Sequence, residues 1–165
     1  MRVLGIDPGL AIVGFGIIES TDNNSIKVVD YGVITTNKKL TFPDRLKQIY
    51  TCVCTLIEKY KPDNVAVEEL FFNNNIKTAI DVSHARGVAI LAAIQSINHL
   101  FEYTPLQIKQ ALTGYGRAEK SQVQYMVKAI LNLCDIPKPD DAADALAVAI
   151  CHMQTSQILS QTDIK

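Results

Sequence analysis

The sequence predicts an α/β domain built on a mixed sheet, and three observations carry that expectation. The first forty residues read as three short strands joined by turns, a helical segment then leads into a strongly apolar strand, and the remainder alternates helical periodicity with one further strand. Turns as short as those between the first three strands leave no room for a crossover, so these strands form an antiparallel meander. A strand entered through a helix is usually parallel to an earlier one, which makes the sheet mixed.

The first strand, Arg2-Val3-Leu4-Gly5-Ile6-Asp7, ends in Asp-Pro-Gly, where Pro8 sets φ and Gly9 permits a tight bend. Leu4 and Ile6 face one way; Val3, Gly5 and Asp7 face the other. The second strand spans Ala11 to Ile18, and Gly14 with Gly16 inside it indicates a bulge or a close approach by another backbone or a ligand. Ile26 to Thr36 gives the third. From Thr41 to Tyr60, Leu46, Ile49, Tyr50, Val53, Leu56 and Ile57 recur at helical spacing, and Lys61-Pro62-Asp63 closes the helix. Asn64 to Leu70 follows as a strand covered on both faces and ending in Glu68-Glu69, of which only one can share a face with Ala66.

Phe71-Phe72-Asn73-Asn74-Asn75 is a polar turn carrying two adjacent aromatics. Ile76 to Asn98 reads as a long helix, or one broken near Gly87. Its second half, Val88 to Ile97, is apolar nearly all round, so it is either central or covered by a partner subunit. A fifth strand falls at His99 to Tyr103. Short helices over Leu106 to Leu112 and Glu119 to Leu133 flank Gly114-Tyr115-Gly116-Arg117, a mobile linker beside Lys109, Arg117 and Lys120, and those basic residues would ordinarily be a solvated face.

The last helix is the informative one. From Ala142 to Cys151 every residue but Asp144 is apolar, so the helix is buried around its circumference. Asp141 and Asp144, three apart, share one face and break that rule. Something positive should meet them, and no Lys or Arg lies within the helix to do it. Capping and the helix dipole account for Asp140 and extend to Asp141, at about 0.3–1 kcal/mol each. They give no reason for Asp144, a turn further in. Capping and a metal site therefore stand as alternatives on this stretch alone. Asp7 has the same ambiguity, because Asp-Pro-Gly forms a turn without any chemistry.

At 165 residues and 48% hydrophobic, the chain suits one compact domain over residues 1–153, with 154–165 as a frayed polar tail. No run of eighteen apolar residues and no signal-like start are present, so the expectation is a cytoplasmic protein without a membrane span. Cys52, Cys54, Cys134 and Cys151 fall at no zinc spacing and read as reduced, packed thiols. A net charge of −1 and a pI of 6.3 argue weakly against a broad basic face for nucleic acid, although two divalent cations on four carboxylates would make the total positive.

No Walker loop and no nucleophile elbow occur. His152 lies roughly 12 Å along the helix from Asp144, too far to share an ion, and His84 and His99 have no partner nearby in sequence. What remains is acids from two strand ends and one helix. Hard carboxylate oxygens suit Mg²⁺ or Mn²⁺. Two such ions about 3.5–4 Å apart can activate water on one side of a phosphodiester and stabilise the leaving oxygen on the other.

Five stretches, Gly5-Ile6-Asp7-Pro8-Gly9, Val67-Glu68-Glu69-Leu70-Phe71, Ala85-Arg86-Gly87-Val88-Ala89-Ile90, Ala118-Glu119-Lys120-Ser121-Gln122-Val123-Gln124 and Asp141-Ala142-Ala143-Asp144-Ala145-Leu146-Ala147, resemble in order the motifs of the bacterial RuvC family of Holliday junction resolvases. The resemblance runs over residues 1–153. It implies a ribonuclease H-like fold: a five-stranded mixed sheet, strands one to three antiparallel, the fourth and fifth parallel to the first, with helices on both faces. It implies a metal-dependent crossover junction endodeoxyribonuclease, using Mg²⁺ at two ions per subunit or Mn²⁺, that acts in recombination and DNA repair.

By the same resemblance Asp7, Glu68, Asp141 and Asp144 are the metal-binding catalytic acids. Glu68 is preferred to Glu69 because it stands three before Phe71, and Asp141 to Asp140 because it begins the Asp-Ala-Ala-Asp unit, leaving Asp140 as the helix cap. Lys109 and Lys120 match lysines near the scissile phosphate and DNA backbone, and Phe71 an aromatic that enters the opened four-way junction. The family works as a homodimer, with the helix from Ile76 at the dimer contact, and with the RuvAB branch-migration complex. Rival readings are a single lobe of the actin, hexokinase and Hsp70 ATPases, which need two such domains around a nucleotide; a short nuclease of ribosomal RNA precursors, against which Phe71 and Lys120 speak; and a junction-binding protein without catalysis, against which the intact acid set speaks.

Overall fold

The computed structural model describes residues 1–21, 25–70, 76–97 and 99–162. Strands β1 (Arg2–Asp7), β2 (Ile12–Ser20) and β3 (Ile26–Thr35) lead through helix α1 (Phe42–Tyr60) to β4 (Asn64–Glu68), then through α2 (Ile76–Ile94) to β5 (Leu100–Tyr103). Helices α3 (Pro105–Thr113), α4 (Lys120–Ile130) and α5 (Asp140–Thr162) follow. The sheet order is β3-β2-β1-β4-β5. β1 pairs antiparallel with β2 and parallel with β4, β2 pairs antiparallel with β3, and β5 is parallel to β4. This is the expected ribonuclease H-like arrangement.

Alternation along the strands sorts side chains into two layers. Val3 and Ala66 face α3, α4 and α5, in one core with Leu112, Val127, Leu146 and Ile150. Leu4, Ile6, Val65 and Val67 face α1 and α2, in a second core with Ile49, Val53, Ala85 and Ala89. The parity of β1 and β4 therefore places Asp7 and Glu68 on the α5 side.

α5 owes its position to small residues. Every residue from Ala142 to Cys151 except Asp144 is buried, and side chains such as Leu146 and Ile150 contribute about 1.5–3 kcal/mol each on burial. The helix lies so close to the sheet that a Cβ on Gly14 would stand 2.0 Å from the Asp141 carbonyl oxygen, and one on Gly5 2.1 Å from that of Ala145. Gly14 and Gly16 thus serve the close approach, while the register irregularity of β2 falls instead at Ile17/Ile18.

Three expectations change. α5 continues to Thr162, so Gln154 to Thr162 is helical where a frayed tail was expected; Gln154, Thr155 and Ser156 are half-buried, and the Thr155 and Ser156 hydroxyls donate to the carbonyls of Cys151 and His152. α2 is continuous through Gly87, whose side faces open space, and it ends at Ile94. Its alanines Ala85, Ala89, Ala92 and Ala93 are buried, while Ile80, Leu91 and Ile94 are 52%, 47% and 52% exposed. The turn after α3 is closed, with Gly114 at positive φ bonding back to Gln110 and the Thr113 hydroxyl accepting from the Tyr115 amide.

Candidate active site

Four acids arrive at one end of the sheet from three elements. Asp7 is the last residue of β1, and Glu68 the last of β4, each one step beyond the Ile6↔Val67 pair. Asp141 and Asp144 come from the first turns of α5, which runs back over the sheet so that the Asp141 backbone packs on Gly14, itself paired with Asp7. The doublet at the end of β4 divides as the parity requires: Glu68 shares a face with Ala66 and looks toward α5. The Glu69 amide donates to the Tyr103 carbonyl. Phe71 lies outside the described residues.

Electrostatics mark this as a strained assembly of charge. Burial pushes the Asp7 carboxyl up to about 8, reinforced by Glu68, Asp144 and Asp141. Burial likewise pushes Glu68 up to about 7, with Asp144 adding to the rise and Lys120 and Lys109 opposing it. Asp144 is raised as well: its burial, with Asp141 and Asp140 nearby, outweighs the hydrogen bond it receives from Lys120. Carboxylates crowded in this way are short of positive charge.

Lys120 is the positive group the late helix called for, and it comes from α4. Its Nζ donates to Asp144 Oδ2 at 2.7 Å and lies 3.8 Å from Asp140 Oδ2. Burial works against the charged lysine, but Asp144, Asp140 and Asp7 more than compensate and raise its pKa. Asp140 departs from the expected cap role. It is the first helical residue, and its Oδ1 accepts from Lys138 Nζ at 2.8 Å.

The acids sit between two clefts. One, of about 240 Å³, is lined by Glu68, Lys109, Lys120 and Asp144 over an apolar floor that includes Ile108 and Val123. The other, of about 610 Å³, is lined by Gly9, Leu10, Lys38, Arg45, Asp81 and Asp141. Arg45 closes the turn behind Asp7: its Nε donates to the Thr36 hydroxyl at 2.9 Å, which itself donates to the Leu10 carbonyl at 2.7 Å.

Sequence reasoning assigned no role to Arg86. Its Nε donates to the Glu68 carbonyl at 3.3 Å and its guanidinium pairs with Glu102, so it ties the acid-bearing end of β4 to β5. The signal available was its place in the Ala85-Arg86-Gly87 stretch, one helical residue whose charge has no partner nearby in the chain. His152, as expected, lies away from the acids. It is buried between Tyr103 Oη at 2.8 Å and Asn64 Nδ2 at 3.0 Å.

The donor set is oxygen only, which fits a hard divalent cation, and the raised carboxyls fit a site that a cation would relieve. Among the described residues, no three acidic, His or Cys side chains already stand close enough to hold one ion. With Lys120 on Asp144, the acids are held near one another by backbone placement while their oxygens remain apart.

The family model described as crossover junction endodeoxyribonuclease RuvC matches residues 3–152. The crossover junction endodeoxyribonuclease RuvC of Alkaliphilus oremlandii is 58% identical over 165 residues, 100% of both chains, and that of Halothermothrix orenii is 61% identical over 152 residues, 92% of each. The Thermus thermophilus RuvC structure superimposes with a TM-score of 0.87 at 34% identity, covering 96% of each chain. The same protein in complex with Holliday junction substrate gives 0.86 at 31% identity, with 96% of each chain covered. A match that runs unbroken from the first strand to the end of the buried part of α5 places this chain in the RuvC family of crossover junction endodeoxyribonucleases.

Proposed function

We propose that the chain resolves four-way DNA junctions in recombination and repair, by metal-dependent hydrolysis of phosphodiesters in two symmetry-related strands. The observation that carries this reading is the convergence of Asp7, Glu68, Asp141 and Asp144 beside two lysines at the mouth of a cleft. Those four acids would hold two Mg²⁺ ions per subunit, or Mn²⁺, which supply activation of water and stabilisation of the leaving oxygen. The chain's own residues do the rest. β1, β4 and α5 fix where the carboxylates emerge, and Lys109 and Lys120 offer point charges to a phosphate entering the cleft.

Symmetric cutting requires a second copy. The exposed Ile80, Leu91 and Ile94 on α2 supply an apolar face for it, opposite in the sheet sandwich to the acid-bearing α5 side. Phe71 is assigned to the opened junction on its place in the motif alone. RuvAB is the partner that would deliver junctions, in the cytoplasm. No helix among the described residues is long and apolar enough to cross a membrane.

The test is incubation with a synthetic mobile four-way junction and Mg²⁺, beside EDTA and Asp141→Asn. Paired, symmetric nicks that vanish in both controls are expected. A junction that is bound yet left whole under every metal and sequence context would return the non-catalytic binding reading.

A further inference from the structure

Asp140 is outside the set of acids assigned to the ions, yet it is coupled to them through one mobile charge. Lys120 Nζ stands between two carboxylates. It bonds Asp144 Oδ2 at 2.7 Å and lies 3.8 Å from Oδ2 of Asp140, which is not among the acids assigned to the ions. Lys138 Nζ bonds the other oxygen of Asp140 at 2.8 Å, which leaves Oδ2 on the side of Lys120.

A divalent cation and an ammonium on the same oxygen of Asp144 repel strongly, so an ion that takes Oδ2 displaces Lys120 from it. Released into water, the lysine would recover its side-chain freedom and leave the cleft without the charge that faces phosphate. A movement of about 1 Å toward Asp140 instead restores a charge-assisted hydrogen bond.

We infer that Asp140 is a positioning residue, which receives the Lys120 ammonium when a divalent cation takes Asp144 and so holds that charge at the cleft lined by Glu68 and Lys109. The inference rests on the metal reading above. It also gives Lys138 a part, as the clamp on Asp140. The exchange is cheap because both lysine partners are on the surface side of the acid cluster, with Asp140 46% and Asp144 25% exposed.

The test is Mn²⁺ binding without DNA, followed by the electron paramagnetic resonance signal of the free ion, for the unaltered protein, Asp140→Asn, Asp140→Glu, Lys120→Met and the Asp140→Asn/Lys120→Met double variant. Lys120→Met should tighten binding by removing the competing charge. Asp140→Asn should weaken it about 2- to 5-fold, the scale of an exposed ion pair. Asp140→Glu should restore it, and in the Lys120→Met background Asp140→Asn should have less than half that effect. An equal factor in both backgrounds would mean that Asp140 acts only as a distant charge and would overturn the inference, as would no effect in either. Absence of any Mn²⁺ binding that Asp141→Asn removes would overturn the metal reading, and this inference with it.

Discussion

The two ends of α5 meet the sheet in opposite electrostatic states. At its start Asp141 and Asp144 join Asp7 and Glu68, and among the described residues the only cation hydrogen-bonded to any of these four carboxylates is Lys120. A dozen residues on, the same helix presents His152 to Asn64 and Tyr103, with the Phe101 ring tilted over its own at a centroid distance of 4.3 Å. Close by, the Arg2 amide donates to Asp63 at 2.7 Å and its guanidinium to Glu19. One end pairs most of its polar groups within the chain, the buried Arg2 Nε excepted. The other is left crowded with like charge, which costs stability in the absence of a ligand. Polar groups that are paired hold the fold together; acids that are not mark where something from outside is meant to bind.

The contrast predicts, first, that Asp141→Asn and Asp7→Asn each lower junction cleavage by about 10³-fold or more, since both are proposed metal ligands and losing one would remove several kcal/mol of transition-state stabilisation. Circular dichroism should find both variants folded. His152→Gln should keep most of the turnover while losing about 1–3 kcal/mol of stability by denaturant titration, from a buried hydrogen-bond pair. A loss of cleavage at His152 as large as at Asp141 would break the distinction between the ends.

Gly14→Ala tests whether the approach of α5, as well as the charge, makes the site. A methyl 2.0 Å from the Asp141 carbonyl must push the helix away, so stability should fall by about 1–3 kcal/mol and Mn²⁺ affinity should fall with it. Unchanged affinity would show that the acids tolerate a looser helix.

The two ends should also respond oppositely to pH. Asp7 and Glu68 have folded pKa values near 8 and 7, above their ordinary values of 3.8 and 4.5. The folded state therefore holds protons that the unfolded state has released, and metal-free stability falls as pH rises from about 4 through 8. His152, held down to about 4 by burial, works the other way: its contribution is complete above about 6.5 and is lost as pH falls through 4. In EDTA, two raised acids outweigh one lowered histidine, so melting temperature should fall from about pH 5 to 8. Asp7→Asn should raise it at pH 8, by about 2–4 °C for each kcal/mol of relieved burial, and Mn²⁺ should do the same for the unaltered protein. A melting temperature in EDTA that rises from pH 6 to 8 would contradict the assignment. The smallest effect expected is at Arg2→Ala, about 1 kcal/mol by denaturant titration with cleavage unaltered, because its ion pair with Glu19 is partly exposed.

Much of this architecture is legible in the order of the amino acids. Alternation in β1 and β4 puts Asp7 with Val3 and Glu68 with Ala66, and helical spacing puts Asp141 and Asp144 on one face, because these periodicities follow from backbone geometry alone. The buried helix is equally plain, since ten residues with a single charge cannot face water. Five motifs in order supply the family. Local chemistry, however, reaches only a few residues. Asp140 has a cap's sequence and acts instead as a partner to Lys138 and Lys120. The stretch after Met153 is polar yet helical, held by hydroxyls bonding back along α5. That Lys120 meets Asp144, twenty-four residues on, and that Arg86 grips the end of β4, depend on how α4 and α2 pack against the sheet. Composition and spacing determined which residues must be buried and which acids share a face. Only the tertiary structure decided which cation those acids face, because a charge finds its partner by distance in space, and that distance is set by packing.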